Sequence, residues 1–228
     1  MTTHQLQQME VISKIEEQVQ KDDLKFSTVS PVADYEGDTR ICLTGAHMPA
    51  DTLLTQVQKI IKTLSEIEPG YFYYSPESLH MTIKNVRVIS DPPTFTESDI
   101  AKVEKVFSSV IPHHKKYKVY FYRLMLFKNN LALIGTTDPE LDEIVLELDQ
   151  KLKDAGVPDD KQYTNSQYFF CNMTLARFPK SSDAFVNAVD ELSKTLVIEP
   201  YTVNAVSLVT GNAAFKKGHI ITTWKLQE

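Results

Sequence analysis

The stretch SPESLHMTIKN, residues 75–85, carries His80, Met81 and Thr82 as His-x-Thr inside a strand-like run. In the second half of the chain, FFCNMTLARF (169–178) repeats the pattern with one change, as Asn172-Met173-Thr174. Alternate side chains of a strand share a face. Regular alternation therefore predicts His80, Thr82 and Lys84 on one side of the first strand. It predicts Asn172 and Thr174 together on the second, with Arg177 on the opposite side. An imidazole beside a hydroxyl, with an ammonium one step further, suits a phosphate oxyanion: the hydroxyl and ammonium hold oxygens while the imidazole moves protons. On spacing alone the signal is weak, because His-x-Thr is common in ordinary strands.

Around these two segments the chain alternates helical and extended patterns. Leu6, Met9, Ile12, Ile15 and Val19 predict a helix over 3–21. A strand is expected at 40–44, and Pro49 and Asp51 open an amphipathic helix with Leu53, Leu54, Val57, Ile60, Ile61 and Leu64 on its stripe. YFYY (71–74) and 79–88 read as strands, 97–110 as a helix, and 117–127 with 131–136 as a hairpin. Asp138-Pro139 opens a helix that Gly156 stops. The strand 168–178, a helix from Ser182 to about Leu196, and strands near 201–209 and 218–226 complete the order. The two motifs hold similar places in the two halves, which predicts two related α+β lobes. The boundaries expected are an N-terminal helical extension over 1–22 and one two-lobed domain over 23–228. The loop VPDDKQYTNSQ (157–167), just before the second motif, has the place of a mobile lid.

Composition narrows the function classes. At 42% hydrophobic and 24% charged residues, the 228-residue chain has the makings of a packed core. A formal net charge of −6 disfavours salt-driven binding to long duplex nucleic acid, yet leaves room for a small basic cleft. Cys42 and Cys171 read as two buried free thiols. The opening residues MTTHQLQQMEV have neither a basic nor an apolar signal region, and no run is long enough to span a bilayer, so a cytoplasmic monomer without membrane contact is expected. The run His113-His114-Lys115-Lys116 reads as a solvated turn. Without a third ligand at suitable spacing it predicts no metal site.

Taken at length, YYSPESLHMTIKN resembles the first motif of the two-histidine phosphoesterase superfamily, the 2′–5′ RNA ligase-like and cyclic phosphodiesterase group. There an aromatic strand, a proline-containing turn and Leu-His-x-Thr-Leu arrive in this order. FFCNMTLARF is similar to the second motif, and VSLVTGNAAFKKGHIITTWKL to the closing strand pair. The resemblance runs from about Arg40 to Leu226. It implies a duplicated α+β fold: two lobes of antiparallel sheet flank a central cleft, with helices outside. It also implies a phosphodiesterase needing no cofactor, acting on a 2′,3′-cyclic phosphate or a related phosphodiester of a nucleotide or RNA end. His80 and Thr82 would be one catalytic half and Thr174 a phosphate ligand in the other.

The resemblance also puts a second histidine at position 172, where this sequence has Asn. An amide donates and accepts hydrogen bonds but exchanges no proton near neutral pH. Four readings stand side by side: a weakened enzyme, a catalytically silent binder of nucleotides or RNA ends, an Asn introduced to trap a ligand, and replacement of the histidine by another group. For the last, His219 in GHIITTWKL and Tyr168 at the start of the second motif strand are the candidates. Lys84 joins them as a substrate-binding candidate from face alternation. A scaffold without a ligand would instead fill its cleft with bulky side chains.

Overall fold

The computed structural model describes every residue except Ser27, and leaves aside the side chain of Asp51. Among the described residues, five α-helices, α1 (Thr3–Gln20), α2 (Asp51–Ile67), α3 (Glu97–Val110), α4 (Glu140–Asp154) and α5 (Asp183–Lys194), are interspersed with nine strands. The strands are β1 (Ile41–His47), β2 (Phe72–Tyr73), β3 (Met81–Ser90), β4 (Tyr117–Leu126) and β5 (Asn130–Thr137). They continue with β6 (Cys171–Arg177), β7 (Tyr201–Val203), β8 (Ala205–Gly211) and β9 (His219–Lys225).

Among the described residues, the named strands pair antiparallel, in two sheets ordered β3-β1-β8-β9 and β2-β6-β5-β4-β7. The lobes are therefore not simply the two halves of the chain. Asn204 separates β7 in the second sheet from β8 in the first, so the C-terminal hairpin completes the N-terminal sheet. Helices α3 and α4 pack together and α4 meets β3, while α2 and α5 pack together and α5 covers β4. The main core fills the space between helices and sheets, with Leu43, Val57, Phe107, Leu133, Leu148, Met173 and Phe178 buried in it.

A β-bulge in each motif strand changes which residues share a face. In β3, Ala46 faces Thr82 and Gly45 faces Lys84, so Ile83 is an extra residue. In β6, Ala132 faces Thr174 and Leu131 faces Ala176, so Leu175 is extra. A bulge reverses the alternation beyond it. Lys84 thus joins Gly45, whose absent side chain leaves room for the Phe107 ring of α3, on the helix side of the sheet. The expectation that Lys84 shares a face with His80 and Thr82 fails for this reason. Only 1% exposed, Lys84 is held by Asp149 at 3.2 Å and by Asp159, and lies over the Tyr163 ring at 5.1 Å.

Helix α1 forms as its pattern predicts, closed by a Thr2–Gln5 capping box, but it buries a different stripe. Leu6 is exposed, whereas Gln8 is 0% exposed among Val11, Ile12 and Ile15. Gln8 Nε2 donates to Thr137 Oγ1 at 2.8 Å and to the Phe169 carbonyl at 2.5 Å, and its Oε1 accepts from Thr137 N–H at 2.8 Å. A buried amide with donors and acceptor satisfied is tolerated where an unpaired one is not. His47, the last residue of β1, is buried as well. Its ring sits between the Ala205 carbonyl and the Tyr201 hydroxyl at 2.7 and 2.9 Å.

Removing Lys84 would leave Asp149 and Asp159 facing each other without their shared cation. Lys84→Met is expected to lower stability by on the order of 3 kcal/mol, seen as an earlier midpoint in urea. Lys153→Met, which removes an exposed i,i+4 partner of Asp149, serves as the control with a much smaller loss. Equal losses would contradict the buried ion cluster.

Candidate functional site

Beyond the bulges, both motif strands present the same spacing to the space between the sheets. His80, Thr82 and Asn85 from the first and Asn172, Thr174 and Arg177 from the second line one cavity of about 510 Å³. The positions correspond step for step: first, third and sixth residue of each motif. Strands β3 and β6 contact each other across the boundary between the sheets. The cavity is open space, which disagrees with a scaffold packed shut by bulky side chains.

Among the described residues, the side chains of Thr82, Asn172 and Thr174 make no hydrogen bond to protein, although all three reach the cavity. Polar groups at such a wall are free to bind water or a ligand. His80 differs, because its Nδ1 lies 2.8 Å from the Ser78 carbonyl. That oxygen only accepts, so Nδ1 carries the proton and Nε2 keeps a lone pair. The imidazole stacks on Phe215, with centroids 3.6 Å apart and planes at 16°. Burial, with the Arg177 charge adding to it and the Ser78 bond opposing, pushes His80 down to about 4. At neutral pH the ring is an uncharged base.

Arg177 supplies positive charge beside it. Arg177 is 8% exposed, its Nε donates to the Tyr74 hydroxyl at 2.8 Å, and its guanidinium lies over the Tyr35 and Tyr74 rings at 5.7 and 5.9 Å. Regular alternation sets this residue on the core side, and the Leu175 bulge brings it to the cavity instead. Its register partner Asn130 also lines the cavity.

The remaining sequence candidates separate. Tyr168 lines the cavity, 6.0 Å from the His4 ring. His219 does not: it begins β9, the far edge strand of the first sheet, and is exposed. Position alone removes His219 as a stand-in for the missing histidine. Lys84, with its two carboxylates, lies behind the β3 wall.

Lys161, which the sequence did not single out, lines the cavity from the 157–167 loop. Burial, with Lys84 adding and Asp159 opposing, pulls its ammonium down to about 8. The loop expected as a lid is tied along β3. Asp160 accepts from Val88 N–H at 2.7 Å, and the Pro158 carbonyl accepts from Arg87 at 2.6 Å. Away from the cavity, His114, Glu140 and Glu143 bring possible metal ligands within 4.8 Å of one another. Both His114 nitrogens already face carboxylates there, of Glu140 at 2.8 Å and Glu147 at 3.0 Å.

No family model matches the sequence, and no curated protein is similar to it. Solved structures are similar in fold. Escherichia coli LigT in its apo form superposes with a TM-score of 0.55 at 13% identity, covering 84% of this chain and 100% of that one. A phosphoesterase gives 0.55 at 13% identity, covering 82% and 99%. TT0787 of Thermus thermophilus gives 0.52 at 12% identity, covering 83% and 98%. Two antiparallel sheets with outer helices, matched over nearly the whole of each neighbour, give this chain the α+β fold of the LigT-like phosphoesterases.

Proposed function

We propose that the chain is a metal-independent phosphodiesterase of the 2′–5′ RNA ligase-like type. Its substrate is a 2′,3′-cyclic phosphate or a related phosphodiester of a nucleotide or RNA end, and its turnover is slow. The observation that carries this reading is the set of unpartnered polar groups, Thr82, Asn172 and Thr174, around one cavity with a neutral His80 and the Arg177 charge beside it. Escherichia coli LigT has been solved with ATP, 3′-AMP, phosphate and NADP+. These ligands fit the same chemistry.

In this reading Thr82, Thr174 and Arg177 hold the non-bridging oxygens, where charge-assisted hydrogen bonds are strongest. His80 Nε2 takes a proton from water as the water oxygen bonds to phosphorus and the bond to the ribose oxygen breaks. The leaving oxygen then needs a proton. Asn172 can orient the phosphate or a water but has no proton to give. Without that transfer the rate falls, typically by about 10²- to 10⁴-fold for one general acid or base. The absent acid also favours a second reading, a silent binder of nucleotides or RNA ends that keeps the pocket.

Turnover of 2′,3′-cyclic nucleotides separates the two. The unsubstituted protein is expected to turn over slowly, His80→Ala to lose that activity, and Asn172→His to gain about 10²-fold or more. Measurable binding with no turnover by the unsubstituted protein would favour the silent binder. Silence of all three proteins, with no binding, would sink the assignment.

The pH dependence carries a separate signature. His80 works unprotonated, so activity is lost as pH falls through its depressed pKa. The acid limb of kcat/KM is expected near 4, well below the ordinary imidazole value. A limb near 6.5 would contradict a half-buried imidazole on which the Arg177 charge acts.

A further inference from the structure

Helix α1 and the described residues between it and β1 give the cavity a third wall. Directly opposed residues of an antiparallel pair share a face. Ile134 faces Asn172 and Ala132 faces Thr174, so Ala132 and Ile134 lie on the sheet face that carries the second motif. On that face α1 is seated, with Val11, Ile12 and Ile15 packed against Ala132, Ile134 and Met125. Polar anchors hold it along its length. His4 meets Asp142 at 2.7 Å, Gln8 meets Thr137 and Phe169, and Glu16 meets Arg123 at 3.1 Å.

After α1 the chain crosses from one sheet to the other. Asn129 Nδ2, in the β4–β5 turn, donates to the Val29 carbonyl at 3.0 Å. Val29 and Val32 then pack with Phe72 of β2 and Ile89 of β3, the edge strands of the two sheets, around Tyr35, Ala213 and Ala214. The crossing ends in a clasp. Asn212, 0% exposed, donates to the carbonyls of Tyr35, Glu36 and Asp38 at 3.2 to 3.3 Å, and Lys217 donates to that of Gly37 at 3.0 Å. Val11, Ile15, Phe26, Thr28 and Val29 all line the cavity.

We propose that this N-terminal arm sets the substrate class: it restricts the cavity to mononucleotide-sized phosphodiesters and turns away the 3′ end of a longer RNA. The inference rests on the phosphodiesterase reading above. Without the arm, the β5 face beside Asn172 and Thr174 and the gap between the edge strands β2 and β3 would be uncovered, and a polymer could run on past the reacting phosphate. The arm blocks that path by filling the half-groove over β5 and bridging the sheet edges. The volume left, about 510 Å³, is in the range of small-ligand pockets. The apolar lining from Val11, Ile15 and Phe26 offers surface for a base or ribose, while the cations of the cavity, Arg177 and Lys161, come from β6 and the 157–167 loop.

The test is calorimetric affinity for adenosine 2′,3′-cyclic phosphate and for a hexaribonucleotide ending in a 2′,3′-cyclic phosphate. The full chain is expected to bind the mononucleotide at least about tenfold more tightly, a gap of about 1.4 kcal/mol. A variant with Val11→Ala and Ile15→Ala, which widens the cavity while leaving the polar anchors, is expected to narrow that ratio. Affinities within twofold of each other for the full chain would overturn the role of the arm and leave the phosphodiesterase reading standing. That comparison uses the unsubstituted protein and requires no variant to fold. Binding of neither ligand would overturn both.

Discussion

The two inserted residues, Ile83 in β3 and Leu175 in β6, govern what meets in the cavity. A strand that alternates regularly would send Lys84 inward and Arg177 outward. The bulges reverse both, putting an arginine beside His80 and committing the lysine to two carboxylates on the helix side. The exchange suits the energetics. A guanidinium can hold a phosphate through two parallel bonds, while a compact ammonium is satisfied by a buried pair of acids. Because the bulge recurs at the same step of both motifs, the site has a local two-fold character that is broken mainly by side-chain identity.

That broken symmetry sets the chemistry. His80 is fixed by its bond to Ser78 and by the Phe215 ring, and burial beside Arg177 keeps it neutral. Its counterpart Asn172 reaches the same cavity, and its side chain has no hydrogen bond among the described residues. One side can take a proton, and the other can only hold and orient. Lys161, from the 157–167 loop, also lines the cavity, and the charges that act on it are Asp159 and Lys84.

Much of the fold was legible because its helices have apolar stripes at helical spacing and its strands lie between clear turn signals. The helix over 97–110 matches α3 residue for residue, and the motif strands fall where the His-x-Thr and Asn-x-Thr segments suggest. Other features were hidden for identifiable reasons. Bulges leave no mark in the hydrophobic pattern, so the faces of Lys84 and Arg177 came out reversed. Gln8 falls outside the predicted apolar stripe and is buried, because its partners Thr137 and Phe169 lie far along the chain. Lys161 and Phe215 sit in loops whose course depends on tertiary contacts, and His219 falls on a far edge strand that only the sheet order reveals. No helix among the described residues is long and apolar enough to cross a membrane.

The central claim is that phosphate is held between the two motif strands, and locating a bound ligand tests it most directly. In crystals soaked with adenosine 3′-monophosphate, the phosphate is predicted within hydrogen-bonding distance of Thr82, Thr174 and Arg177, with His80 Nε2 facing it. A phosphate bound elsewhere on the protein, with the cavity between β3 and β6 holding only water, would contradict the account.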